Sequence, residues 1–114
     1  MASMKLPLDS TIAREKFANY LLLHQERSDK SRYLARAGYT LENIDRLIED
    51  LRTQILPLEA LFVRRTVFGE TYRIDGPLVG PGGRQIHLRT IWLKHALSGA
   101  VHFVTLIPQP NPAA

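Results

Sequence analysis

Gln85-Ile86-His87-Leu88-Arg89-Thr90-Ile91-Trp92-Leu93-Lys94, then Leu97-Ser98-Gly99, then Ala100-Val101-His102-Phe103-Val104-Thr105-Leu106-Ile107, is the stretch that decides the fold. Both long runs are rich in β-branched and aromatic residues and are bounded by turn formers, which marks two strands joined by a tight turn. Side chains alternate between the faces of a strand. Ile86, Leu88, Thr90 and Trp92 therefore share one side, and His87, Arg89, Ile91 and Leu93 the other. With Leu97-Ser98 as a two-residue turn, Thr90 falls opposite Thr105 and Trp92 opposite Phe103. The face with Trp92, Phe103 and Ile107 is the more apolar and is expected to meet the rest of the core. His102 is expected on the reverse face beside His87, Arg89 and His95. A slip of one residue would exchange the faces.

Working upstream, Gly80-Pro81-Gly82-Gly83 is a tight turn by composition. Thr71 to Val79 reads as a strand before it, and Leu58 to Phe68, ended by Gly69, as another. The first half has a different period. Asp9 or Ser10 can cap a helix to about Gln25, with Ile12, Phe17, Tyr20 and Leu21 on one face. Ser28 can cap a short helix carrying Lys30, Tyr33 and Leu34, closed by Gly38 at a position suited to φ > 0. Thr40 caps a third helix, whose Leu41, Ile44, Leu47, Ile48 and Leu51 form a buried stripe, and Pro57 ends it. Helices followed by a run of strands predict an α+β domain: about three N-terminal helices packed on a four-stranded antiparallel β-meander. One domain is expected, with an ordered core over about 6–108 and a flexible Pro-rich tail over 109–114.

The chain has 114 residues, 45% hydrophobic and 23% charged, which suits a single soluble globular domain and excludes wholesale disorder. Cysteine is absent, so disulfides, cysteine-based metal sites and thiol nucleophiles are excluded together, and a cytoplasmic location is expected. No apolar run approaches the roughly 20 residues that cross a bilayer, and Met1 to Pro7 lacks the apolar core of a secretory signal. The net charge of +4 is unevenly placed. Residues 1–59 carry nine Lys/Arg and nine Asp/Glu, whereas residues 60–114 carry six Lys/Arg against only Glu70 and Asp75. Such asymmetry favours a polyanion as partner, although a solvated basic sheet face would read the same way.

The reverse-face cluster is the constellation that spacing itself suggests. Histidine titrates near neutrality and moves protons, and arginine offers a fixed fork of donors to phosphate. RNA cleavage needs a base for the 2′-hydroxyl, an acid for the leaving oxygen and a cation for the developing charge. His87 or His102 with Arg89 meets that need without a metal, although strand histidines in a basic chain are often simply solvated. Arg84, leaving the glycine-rich turn, is placed to bind phosphate beside backbone donors. Arg73 and Lys94 extend the basic surface. The histidines fit no short metal-binding motif, so neither a metal nor a cofactor is expected.

Several segments together resemble a known family. Lys30-Ser31-Arg32-Tyr33-Leu34 to Gly38-Tyr39 is similar to a K-A-x-F-F-x-x-x-G-F segment. Gly82-Gly83-Arg84 with Arg89-Thr90-Ile91-Trp92 is similar to N-G-R-x-x-x-V-x-T-V-W, and Val104-Thr105-Leu106-Ile107-Pro108 to V-T-A-Y-P. With Tyr20-Leu21-Leu22, these resemble a small bacterial domain family of unknown function, found alone and at the C-termini of toxin-like proteins. The resemblance covers about Leu6 to Pro108. It puts weight on Lys30, Arg84, Thr90, Trp92 and Thr105, and His24 matches a histidine before the family lysine. Ser31 and Tyr33 replace the usual Ala and Phe, and Ile107 replaces Tyr, changes that touch packing more than chemistry. More loosely, the layout is similar to the barnase–EndoU–colicin–RelE group of ribonuclease toxins.

The resulting expectation is a metal-independent ribonuclease-like toxin domain that binds and cleaves RNA. His87, His102, Arg89, Thr90 and Thr105 are its catalytic candidates, and Lys30, Arg84, Arg73 and Lys94 its nucleic-acid contacts. The alternative is a non-enzymatic interaction protein, a toxin partner or immunity-type module, with a cognate protein as its partner in place of RNA.

Overall fold

A computed structural model describes residues 4–15 and 29–109. Its sheet is a four-stranded antiparallel meander in chain order: β1 (Leu61–Thr66), β2 (Gly69–Val79), β3 (Gln85–His95) and β4 (Val101–Pro108). The helical layer among the described residues holds two α-helices, α1 (Asp29–Arg36) and α2 (Ile44–Asp50). A 3₁₀ turn (Leu41–Asn43) leads into α2, and a wider π turn (Leu51–Ile55) continues it, with Leu56 N–H bonding Leu51 C=O at 2.8 Å.

The expectation of three N-terminal helices is corrected at its first member. Asp9 to Ala13 are not helical. The Ser10 hydroxyl donates to Pro7 C=O at 2.6 Å, and Thr11 spends its backbone on the edge of β4, accepting from Phe103 N–H and donating to Val101 C=O. Those sheet bonds replace the helix start. Arg14 and Glu15 are helical, and the rest of that expected helix, with Tyr20, Leu21, Leu22 and His24, lies outside the described residues, as do Ser28 and the tail from 110 onward.

The other local signals act as their chemistry dictates. Gly38 takes φ 97° after α1, so Tyr39 N–H can reach back to Leu34 C=O. Thr40 forms a capping box with Asn43. Ile44, Leu47, Leu51, Ile55 and Leu56 are buried against the sheet face that carries Tyr72, Ile74, Leu78, Ile86, Leu88, Trp92, Phe103 and Leu106. Trp92 and Phe103 meet edge to face at the centre, with ring centroids 5.4 Å apart. Gly80 exists for close approach: a Cβ there would strike the Ala37 carbonyl oxygen, so this glycine lets the end of α1 settle onto the β2–β3 turn.

Trp92 stands opposite Phe103, as the alternation predicts, but the pairing of Thr90 with Thr105 is wrong. The register shifts between Ile91 and Trp92, so Ile91 faces Thr105 and Thr90 faces Leu106, with Val104 the extra residue. Beyond this bulge the faces of β4 exchange. Leu106 is fully buried, and Ile107, expected in the core, is 44% exposed. β1 is shorter than expected because Leu58 N–H still bonds Ile55 C=O and Val67-Phe68 form the turn into β2.

The N-terminal residues tie both sides of the sheet. Met4 exchanges two backbone bonds with Ala60, just before β1, and Thr11 bonds β4. Between them Leu6 and Ser10 are buried, and Arg52 donates to Leu8 and Ser10 carbonyls. Among the described residues no helix is long and apolar enough to cross a membrane.

Candidate functional site

In the middle of the reverse face, Arg89 is not unopposed. Its sequence neighbours hold no carboxylate, but the β2–β3 register sets it across from Asp75. Arg89 Nε and Nη2 donate to the two Asp75 oxygens at 2.9 and 3.2 Å. Arg73 approaches the same carboxylate at 3.8 Å. The Asp75 hydrogen bonds raise the Arg89 pKa above its usual value. A phosphate here would have to displace a bidentate carboxylate.

At the glycine-turn end sit Arg84 and His87, with α1 alongside. Arg84 is exposed, and no carboxylate pairs with it among the described residues. The expected backbone donors are not there to help it. Gly80 N–H bonds Arg84 C=O, Gly82 N–H bonds Ala37 C=O and Gly83 N–H bonds Gly80 C=O, so the turn spends its own amides. His87 N–H donates to the Tyr33 hydroxyl at 3.1 Å. Its ring lies 3.4 Å from the Gln85 amide. Lys30 lies one turn before Tyr33 on α1.

Thr90 has a structural job. Its hydroxyl donates to Ile74 C=O at 2.9 Å and accepts from Trp92 Nε1 at 2.8 Å, all fully buried. A Thr two residues before a Trp on one strand face thus satisfies the indole inside the core. Thr105, moved by the bulge to the reverse side opposite Ile91, bonds the Leu106 carbonyl at 3.4 Å.

His102 and His87 are not neighbours. His102 stands opposite Leu93, six residues from His87 along β3, which is about 20 Å at the rise of a strand. His102 instead meets His95: Nδ1 of one and Nε2 of the other are 2.7 Å apart, with ring centroids at 4.6 Å. At that distance one ring donates and the other accepts.

His95 lines an open groove of about 340 Å³ at the β3–β4 loop end, together with Arg65, Glu70 and Lys94. Arg65 Nη2 donates to Glu70 at 2.6 Å, and the Tyr72 hydroxyl donates to its other oxygen at 2.9 Å. The Arg65 bond first, then the Tyr72 bond, hold the Glu70 carboxyl below its usual pKa, and Lys94 adds to this. One carboxylate therefore meets two cations in a groove whose lining includes His95. Among the described residues, no three His, Asp or Glu side chains gather as a metal-holding group.

The family model for a domain of unknown function (DUF6883) matches residues 8–110. The chain belongs to that family. No curated protein and no solved structure matches it. The motif positions read from the resemblance can now be sorted within a DUF6883 fold. Thr90, Trp92 and Gly38 are accounted for by packing and backbone conformation. Arg84 has no such structural duty. Sequence reasoning places His95 in the reverse-face cluster without a catalytic role and does not single out Arg65. Placing the β1–β2 turn at Val67-Phe68 would have found Arg65, because the ladder then runs Arg65, Glu70, Lys94 across three strands.

Proposed function

We propose that this domain binds RNA at the loop end of its sheet and cleaves the phosphodiester without a metal ion, as a ribonuclease-like toxin domain acting on cytoplasmic RNA. The observation that carries the reading is the 2.7 Å contact of His102 with His95, which lines the same groove as Lys94. One ring of the pair takes the 2′-hydroxyl proton while that oxygen attacks phosphorus. The bond to the 5′-oxygen breaks, and the same proton is returned to that oxygen, leaving a 2′,3′-cyclic phosphate and a 5′-hydroxyl. Lys94, on the same groove as His95, offsets the charge that develops on the phosphoryl oxygens. Arg84, Arg73 and Lys30 supply phosphate contacts away from the reacting centre. Of the residues expected to act in catalysis, His102 keeps that role, His95 takes the place of His87, and Arg89, Thr90 and Thr105 serve the sheet.

Incubation of the purified chain with total tRNA in EDTA, scored on a gel, tests this. Wild type should fragment the RNA, His102→Ala and His95→Ala should leave it intact while still binding it, and Lys94→Ala should weaken both steps. Intact RNA at high protein concentration, with harmless overproduction in a host cell, would overturn the reading and leave the interaction-module alternative.

A further inference from the structure

β1 is an edge strand that has already accepted one partner residue and presents the rest of its length open. Met4 and Ala60 exchange both backbone bonds on the side away from β2. Because backbone groups alternate sides along a strand, Phe62 presents its N–H and C=O outward on the same edge. Beyond Ala60, no strand pairs with this edge among the described residues. The side chains are uncovered as well: Leu61 is 41%, Phe62 52% and Val63 44% exposed. An edge of this kind is a template for strand addition.

Charge selects the occupant. β1 carries Arg64 and Arg65 and no acidic residue, and Arg73 stands behind it on β2. Arg65 is held by Glu70, while Arg64 has no carboxylate partner among the described residues. Self-pairing of two β1 strands would bring four guanidinium groups onto one short ladder, and Glu70 offsets only the Arg65 of each copy. The register shifts between Phe62 and Arg64, so Arg64 pairs with Thr71 on the reverse side while Phe62, stacked edge to face on Tyr72, stays on the core side.

We propose that β1 docks an extended segment of a partner protein as a fifth strand, with carboxylates on the side that meets Arg64 and apolar residues on the side that meets Phe62. The strand lends Arg65 and Thr66 to the histidine groove, but Phe62 and Arg64 lie outside that lining, and the proposal stands whether or not the domain cleaves RNA.

The test uses the whole chain, isotope-labelled, with a short fluorescent peptide alternating Glu and Val, and a Lys and Val counterpart. The acidic peptide should bind, weaken with salt, and shift the amide resonances of residues 61–66. The basic peptide should not bind. Arg64→Glu, at an exposed position that leaves the circular dichroism spectrum unchanged, should weaken the acidic peptide about fivefold or more, as a cross-strand charge pair of about 1 kcal/mol implies. No binding, shifts confined to β3 and β4, or concentration-dependent self-association through the same amides would overturn it. So would binding that appears only after residues 1–3 are removed, since the edge would then belong to the chain's own N-terminus.

Discussion

Thr90 joins a core tryptophan to the neighbouring strand through one oxygen, so substitutions there separate polarity from volume. Thr90→Val keeps the shape but leaves the Trp92 N–H buried without an acceptor, at a cost of about 1–3 kcal/mol. Thr90→Ser keeps both bonds and loses only a methyl group, at about 1 kcal/mol. Urea denaturation should therefore rank wild type above Thr90→Ser, and Thr90→Ser above Thr90→Val. Tyr39 supplies the second residue-scale case. It is fully buried, and its hydroxyl donates to Asp50 at 2.6 Å, with Arg46 on the same carboxylate. Burial first, then the bond to Asp50, push the phenol pKa well above its usual value. A raised folded-state value means the contribution is complete below the ordinary tyrosine pKa of about 10 and is lost as pH rises above it. Stability measured from pH 9 to 11.5 should fall more steeply in wild type than in Tyr39→Phe. The difference should approach one proton's worth, about 1.4 kcal/mol per pH unit, at the alkaline end.

At the level of elements, the caps are where sequence and structure agree most closely, and they differ in weight. Asn43 accepts from Thr40 N–H at 2.7 Å and donates to Gly38 C=O at 2.9 Å, whereas Thr40 accepts a single longer bond from Glu42 N–H at 3.3 Å. Thermal unfolding should show Asn43→Ala losing about 1–2 kcal/mol and Thr40→Ala about half of that. Strand identity, strand order and the Trp92–Phe103 pairing were all legible because alternation and turn chemistry are local signals. The bulge at Val104 was not legible, because nothing in Phe103-Val104-Thr105 marks an extra residue, and that one insertion sent Thr105 and Ile107 to the other face. Asp75 escaped as a partner for Arg89 because the two are joined only by the β2–β3 register. The start of the first helix failed for a related reason: Asp9 and Ser10 read as caps, but the edge of β4 outcompeted the helix for the backbone of Thr11.

For the molecule as a whole, the basic half is less free than its sequence charge suggests, since Arg65 and Arg89 are each bound to a carboxylate. If RNA binds, affinity should fall linearly with salt on a logarithmic plot, as phosphate contacts release counterions. Lys94→Ala and Arg84→Ala should each flatten that slope by about one unit, and Arg89→Ala by clearly less, which a filter-binding salt titration reads directly. The N-terminal tie bears on how such a chain is made. Met4 to Thr11 is made before both of its partners, Ala60 and the segment Val101 to Phe103 near the end of the sheet. Closing it spans nearly the whole sequence, a high contact order that slows folding. Until β4 has been made, the Thr11 end of the strap waits unpaired, so the newborn chain is exposed to wrong strand pairing over most of the domain's synthesis.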